Sequence, residues 1–213
     1  MTAVFLDLDG TLVDSRPGIL SALHAAFRDT GQGHLAETDL TWLIGPPFHE
    51  SFPRLGIADV EGAIAAYREH YDRGAMFEAR VYEGVTAAMD ALLDAGHRLY
   101  LATAKPHVAA CKITAHFGLA HRFSAEFGPE LDGTRNWKGD LLAHALSETD
   151  ERPETSVMIG DRHHDIAAAA EVGMASVAVR WGYGVHEEWT GAARIADHPL
   201  DLPGIVALLS GDQ

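Results

Sequence analysis

The sequence predicts an α/β fold, in which helices cover both faces of a doubly wound parallel sheet and an all-helical segment is inserted after the first strand. Three observations carry this prediction. Residues 3–6 form an apolar run that suits a buried strand and is too short for a helix. Residues 17–76 show helical spacing and no convincing alternating strand. After residue 84, strand-like and helix-like segments alternate, as they do around a parallel sheet.

The inserted segment is predicted to contain three helices. Pro17 suits a first helical turn, and apolar spacing continues until Gly31. A short helix can begin near Asp39 and end at a Gly-Pro-Pro turn, and Asp59 can cap a third helix with one apolar stripe. The turn and the residues after it, up to His49, are interpreted either as a loop that faces a substrate or as a simple turn between helices. The candidate substrate-binding residues there are Gly45, Pro46, Pro47 and Phe48.

Beyond the insertion, the same reasoning predicts the remaining elements. Strands are expected at residues 98–103, 123–127, 157–159 and 175–179, and helices at 85–95, 106–117, 138–146, 165–172 and the carboxyl terminus. We therefore expect a core of residues 1–15 and 81–213 and a helical cap of residues 16–80. Functional groups should collect at the carboxyl ends of the strands.

The composition limits the class of protein. The chain has 213 residues, of which 47% are hydrophobic, and 31 acidic against 16 basic residues give a formal charge of −15. This charge disfavours nucleic acid or an anionic membrane as the main partner. The single cysteine, Cys111, excludes an intrachain disulfide. With no apolar run of about 18 residues and no basic leader, we expect a cytoplasmic protein.

Two carboxylates follow the first predicted strand. Asp7 and Asp9 are separated by one residue, so they point to the same side if the extended geometry continues. Buried carboxylates are costly unless something uses them, and Mg²⁺ prefers oxygen ligands while leaving positions open for water and phosphate. Gly10 allows a sharp turn, and Thr11 adds a hydroxyl and an N–H. The alternative interpretation is that both aspartates only cap a turn.

Other polar residues follow later strands or begin later helices. Thr103 ends the second predicted core strand, where a hydroxyl can donate to a phosphoryl oxygen, although helix capping is an alternative role. Lys138 begins a helix, where the helix dipole disfavours a cation unless an anion is close. Asp161 follows a buried apolar strand, and Asp165 lies about one helical turn further on. Lys105 competes with Lys138 as the cation that neutralises a phosphoryl group.

The string DLDGTLVDS, which begins at Asp7, resembles the first motif of the haloacid dehalogenase-type phosphohydrolases. Thr103 and Lys138 match the second and third motifs of that family, and residues 160–165 match the fourth in its GDxxxD form. Ala104 departs from the asparagine that is common after the second motif. Three further strings resemble the phosphoglycolate phosphatase-like branch: residues 44–48, 128–135 and 181–184.

The resemblance implies a Rossmann-like core with a helical cap and a Mg²⁺-dependent phosphatase activity. It implies that Asp7 is the nucleophile that becomes phosphorylated and Asp9 the general acid and base. Thr103 and Lys138 would hold the transferring phosphoryl group. The Mg²⁺ would be held by Asp7, by the backbone carbonyl of Asp9 and by Asp161, with Asp165 in support. The candidate substrate contacts of the core are Gly10, Thr11, Ala104 and Lys105.

The expected partner is a small phosphorylated metabolite, with 2-phosphoglycolate suggested by the resemblance. A sugar phosphomutase and a 5′-nucleotidase are alternatives on the same core. A dehalogenase is disfavoured because Asp9 is present. A phosphoryl-binding regulatory protein without catalysis is the alternative from another class, and the oligomeric state is not predicted.

Overall fold

The structure, a computed structural model, describes residues 1–211, with the side chain of one residue in the 33–37 segment outside the description. The chain divides into two compact units. The first is formed by Met1–Val13 together with the chain from Val81 onward, and the second is Asp14–Arg80.

The strands of the described residues form two sheets. Their bounds are β1 Ala3–Leu6, β2 Val13–Asp14, β3 Arg80–Val81, β4 Arg98–Ala102, β5 Ala125–Phe127, β6 Ser156–Gly160, β7 Ala175–Val179 and β8 Arg194–Ala196. The main sheet has six strands in the order β5-β4-β1-β6-β7-β8, and its neighbours are parallel throughout. The short strands β2 and β3 pair with each other. The predicted α/β fold with a parallel sheet is therefore confirmed.

The strand register places the carboxyl ends of β1, β4 and β6 side by side. Leu6, the last residue of β1, lies opposite Leu101 of β4 and Ile159 of β6. The residues that follow these three strands therefore emerge side by side at the carboxyl edge of the sheet. The Asp7 N–H donates to the Ile159 carbonyl at 2.9 Å, so the pairing extends one residue beyond β1.

Helices of the first unit cover both faces of the main sheet, and the other helices belong to the second unit. The helix bounds are α1 Arg16–Asp29, α2 Phe48–Arg54, α3 Val60–Asp72, α4 Val85–Asp94, α5 His107–His116, α6 Lys138–Thr149, α7 His163–Glu171 and α8 Leu202–Gly211. On one face, Phe5 of β1 packs in a cluster with residues of α6 and α7. The alternate residues Val4 and Leu6 point to the other face and are fully buried too. Both faces of the central strand are thus removed from water, as the apolar run predicted.

Several elements differ from their predicted bounds. Strand β8 has three residues, too few for a recognisable period, and it was not predicted. Helix α7 begins two residues earlier than expected, at His163, because Asp165 accepts from the Arg162 N–H and so caps the helix from its third position. Residues 212 and 213, in the predicted carboxyl-terminal helix and the predicted core, lie outside the described residues.

The second unit is helical, with differences in its middle part. Helices α1 and α3 pack on each other, and the Asp59 side chain accepts from the Gly62 N–H and caps α3 as predicted. The predicted helix near Asp39 is only a 3₁₀ turn, Thr41–Leu43. The predicted loop to His49 is wrong for its last two residues, because Phe48 begins α2 and its ring stacks on Phe52 of the same helix.

No helix among residues 1–211 combines the length and the apolar character that crossing a membrane requires.

Candidate active site

The turn after β1 positions the first pair of aspartates. Gly10 has φ of 80°, a conformation that suits glycine, and its N–H donates to the Val13 carbonyl at 2.9 Å. The chain therefore reverses within a few residues of the strand. This tight turn keeps Asp7, Asp9 and Thr11 at the sheet edge, with Asp7 and Thr11 buried.

Three buried carboxylates meet at this edge. Asp7, Asp161 and Asp165 each contribute an oxygen to a group whose members all lie within 4.8 Å of one another. Burial raises the pKa of Asp161 well above its ordinary value, and the nearby charges of Asp165 and Asp7 add to the effect. Burial likewise raises the pKa of Asp165 to about 6. Such a concentration of negative charge favours a bound cation.

Lys138 supplies one positive charge to this cluster. Its Nζ lies 3.0 Å from Asp7 Oδ1 and also donates to Asp165. Burial by itself would lower the pKa of Lys138, but the carboxylates of Asp165 and Asp7 outweigh that effect and raise it. Lys138 is therefore a fixed ammonium group beside the predicted nucleophile, held there as the first residue of α6.

Lys105 lies beside the other aspartate. Its Nζ is 3.0 Å from Asp9 Oδ2, and both side chains are largely buried. The Lys105 backbone N–H donates to Thr103 Oγ1 at 3.3 Å, so Thr103 also shapes the turn after β4. The two lysines that competed for one role in the sequence are thus placed next to different aspartates.

The carboxylate of Asp161 is held by a segment for which the sequence suggested no role. Its Oδ2 accepts from the backbone N–H groups of Tyr183 at 2.6 Å and Gly184 at 3.3 Å. The indole Nε1 of Trp189 donates to the Asp161 carbonyl at 2.9 Å. The only signal in the sequence was the glycine-rich string at 181–184, and nothing in it pointed to Asp161.

Several buried oxygens at the site have no hydrogen-bond partner among residues 1–211: Asp9 Oδ1, Thr11 Oγ1 and Asp161 Oδ1. An unpaired buried oxygen is costly unless a ligand satisfies it. Carboxylate oxygens are suitable ligands for Mg²⁺, and a hydroxyl can donate to a phosphoryl oxygen. The donor set therefore fits a magnesium ion and a phosphoryl group.

Both oxygens of Asp165 already have protein partners. One accepts from Lys138 and the other from the Arg162 N–H at 3.0 Å. This arrangement suits a supporting role for Asp165 better than direct ligation of a metal.

The remaining candidate residues have fewer contacts that bear on function. Ala104 is partly buried in the turn between Thr103 and Lys105. The predicted substrate loop of the insertion belongs to the second unit, where Pro47 precedes α2 and its carbonyl accepts from the Ser51 side chain. Gly45 there has φ of 108° and is exposed.

Comparison with known proteins gives a consistent family. A sequence profile described as "Haloacid dehalogenase-like hydrolase" matches residues 4–179. The chain is 41% identical over 183 residues to the tyrosine-protein kinase PtkA of Mycobacterium tuberculosis, covering 85% of this chain and 62% of that protein. The chain thus spans less than two thirds of this relative. It is 38% identical over 191 residues to a 5′-nucleotidase of Pseudomonas aeruginosa, covering 87% of this chain and 85% of the relative.

A solved structure and a further sequence relative agree with this family. The crystal structure of a predicted phosphatase from Clostridium acetobutylicum superposes with a TM-score of 0.91 at 32% identity, over 97% of this chain and 98% of that one. A phosphoglycolate phosphatase of Xylella fastidiosa is 30% identical over 189 residues, covering 87% of this chain and 82% of the relative. The resemblance read from the motifs is therefore confirmed.

Proposed function

Because the chain belongs to the haloacid dehalogenase-like hydrolases, we propose that it is a phosphatase that hydrolyses a small phosphate monoester through a phosphorylated Asp7. The observation that carries this proposal is the cluster of three buried carboxylates, two of which, Asp7 and Asp165, contact the Lys138 ammonium group. An aspartate that a lysine holds at a strand end has the charge and position of a nucleophile. A second aspartate beside it, Asp9, can serve proton transfer.

In the first half-reaction, an oxygen of Asp7 attacks phosphorus and the bond to the leaving oxygen breaks. Asp9 gives its proton to that oxygen, so the product leaves as an alcohol. Lys138 stabilises the charge on the transferring group, and Thr103 donates to one of its oxygens. Both contacts gain strength in a buried site, because little water screens them.

In the second half-reaction, Asp9 takes a proton from water, and the water oxygen attacks the phosphorus of the phosphorylated Asp7. The bond between phosphorus and Asp7 breaks, which releases inorganic phosphate and restores the carboxylate. Lys105 lies 3.0 Å from Asp9 Oδ2 and orients this carboxylate for both proton transfers.

The residues that would hold Mg²⁺ are Asp7, the backbone carbonyl of Asp9, and Asp161, with Asp165 in support. When bound, the ion supplies positive charge that offsets the carboxylates and the phosphoryl oxygens. This assignment is supported by Asp161 Oδ1, a buried oxygen that has no hydrogen-bond partner among residues 1–211.

A 2-phosphoglycolate-like monoester is the proposed substrate class. One relative is named as a phosphoglycolate phosphatase, another as a 5′-nucleotidase and a third as a tyrosine-protein kinase. A panel of 2-phosphoglycolate, 5′-nucleotides, sugar phosphates, pyrophosphate and phosphotyrosine, compared by kcat/KM, discriminates among these classes. Conversion of a sugar phosphate to its isomer without release of phosphate would instead indicate a phosphomutase.

We further propose that residues 16–80 are the cap that selects the substrate. Its proposed substrate contacts are Gly45, Pro46 and Pro47 together with Phe48, the first residue of α2. That residues 14–80 form a compact unit of their own supports this role. Pro46→Gly should change KM for the preferred substrate more than kcat. An unchanged KM across the panel would argue against the loop as a substrate contact.

The chemistry is tested by phosphate release from p-nitrophenyl phosphate with Mg²⁺. Wild-type activity should be lost in EDTA and in Asp7→Asn, and retained in Asp94→Asn, which changes an exposed aspartate at the end of α4. Trapping of a phosphorylated protein in wild type but not in Asp7→Asn would identify the nucleophile. Equal activity of Asp7→Asn and wild type would overturn the proposal.

A further inference from the structure

Residues 181–189, here called the 181–189 segment, follow β7 and end in the 3₁₀ turn His186–Trp189. Three of its donors reach Asp161. The backbone N–H groups of Tyr183 and Gly184 donate to Oδ2, and the Trp189 indole donates to the backbone carbonyl. Both the side chain and the main chain of one acidic residue are thus held by a separate part of the chain.

The 181–189 segment lies so close to Asp161 that Gly182 and Gly184 have no room for a Cβ atom. A Cβ at Gly182 would lie 2.4 Å from the Asp161 Cβ and 2.3 Å from the Gly10 carbonyl oxygen. A Cβ at Gly184 would lie 1.8 Å from the Asp161 carbonyl oxygen. The glycines therefore allow the backbone to reach a carboxylate that side chains would otherwise keep at a distance.

Glu188, in the same segment, binds the two residues that follow Asp161. Its Oε2 accepts from Arg162 Nε at 2.8 Å and from the His163 N–H at 3.2 Å. Arg162 and His163 lie between Asp161 and Asp165 in the chain, so Glu188 stabilises the backbone between these two aspartates. The 181–189 segment thereby contacts Asp161 and also the two residues that follow it.

We propose that the 181–189 segment orients Asp161 for a divalent cation, with Trp189 and Glu188 as positioning residues. The inference rests on the proposed function, because it assumes the cation site described there. Its physical basis is that the two carboxylate oxygens of Asp161 have different surroundings. Oδ2 is engaged by two N–H donors, whereas Oδ1 is buried without a hydrogen-bond partner in the described part of the chain. The donors to Oδ2 leave Oδ1 as the oxygen that faces a ligand.

The role is tested by isothermal titration of Mg²⁺ into the 213-residue protein without any substrate. Trp189→Phe keeps an aromatic ring and removes the indole donor, and we expect about 10-fold weaker Mg²⁺ binding, as is usual when a group that orients a metal ligand is lost. Glu188→Ala should weaken binding by a similar factor. Glu188→Gln, which keeps an acceptor for Arg162, should recover part of the loss.

Matched controls separate orientation from folding. Glu187→Gln changes the exposed neighbour of Glu188, and Trp42→Phe changes a tryptophan of the second unit; both should bind Mg²⁺ like wild type. In an Asp161→Asn background, Trp189→Phe should have no further effect on Mg²⁺ affinity. Thermal unfolding shows which variants are folded, and Glu188→Ala remains as a test if Trp189→Phe does not fold.

Wild-type Mg²⁺ affinity in folded Trp189→Phe and Glu188→Ala would overturn the inference and leave the proposed function untouched. A lower unfolding temperature with unchanged affinity would do the same, since it would show a purely structural role. Conversely, wild-type protein that binds Mg²⁺ but releases no phosphate from any ester would contradict the proposed function, while the titrations would still decide the role of the segment.

Discussion

Lys138 Nζ lies 3.0 Å from Asp7 Oδ1, although Asp7 directly follows β1 and Lys138 begins α6, which the chain reaches much later. The same ammonium group donates to Asp165. Lys138 therefore links Asp7, which follows β1, to Asp165, which caps α7. Lys105 makes the corresponding contact with Asp9, so Asp7 and Asp9 are paired with different lysines.

Loss of the Lys138 charge should affect the chemical step. Lys138→Met is expected to lower kcat by at least about 100-fold, because the charge on the transferring phosphoryl group is no longer stabilised. Lys112→Met, at an exposed position of α5, is the matched control and should keep wild-type kcat. Steady-state kinetics and thermal unfolding are measured together, because Asp7 and Asp165 lose their counter-ion in the variant. A folded Lys138→Met with normal kcat would contradict the assignment.

Lys105 and Asp9 should act as a coupled pair. If Lys105 orients the Asp9 carboxylate, the losses in kcat/KM of Lys105→Met and Asp9→Asn will not add in the double variant. We expect the double variant to be about as active as Asp9→Asn alone. The measurement is a double-mutant cycle on one phosphate ester. Full additivity of the two losses would show that the 3.0 Å contact has no part in catalysis.

Gly10 should be intolerant of a side chain for two separate reasons. Its φ is +80°, and a Cβ would lie 2.3 Å from Asp161 Oδ2. Gly173 has a similar φ of +77° but open space around its Cβ position, so Gly173→Ala has only the backbone cost. We expect Gly10→Ala to lower the free energy of unfolding by about 2 kcal/mol more than Gly173→Ala. Chemical denaturation compares the two variants. Equal losses of unfolding free energy would mean that Asp161 moves away from the new Cβ without cost.

His164 should make the protein less stable in mild acid. Burial, followed by the charges of His163 and Arg162, lowers the pKa of His164 to about 4, from an ordinary value of 6.5. The unfolded chain therefore binds a proton at higher pH than the folded protein does. The resulting loss of stability begins as the pH falls below about 6.5 and is complete below about 4.

This effect is isolated by comparing wild type with His164→Gln. Because the side chain is partly exposed, we expect the stability difference to change by about 1 kcal/mol in favour of the variant between about pH 7.5 and 4. Urea unfolding at several pH values measures it, and His121→Gln, at an exposed position, serves as control. A difference that stays constant with pH would show that His164 titrates alike in both states.

Much of the sheet could be predicted because buried strands have strong local signals. The predicted strands at 3–6 and 175–179 agree with β1 and β7 residue by residue. β1 is apolar and buried throughout, and β7 is apolar except for the buried Ser176, so both strands have a strong local signal. Helix α2 was missed because it is short, contains Pro53 and follows two prolines, all of which are typical of turns.

By itself, the sequence determined the order of the strands along the chain and the acidic residues that follow two of them, since both are local properties of a few consecutive residues. Asp7, Asp9 and Asp161 could therefore be expected at one edge of a parallel sheet. Only the tertiary structure decided that Lys138 contacts Asp7 while Lys105 contacts Asp9, and that the 181–189 segment holds Asp161. These contacts join residues far apart in the chain, and they depend on the lateral order of the strands and the path of each loop, which periodicity and composition do not encode.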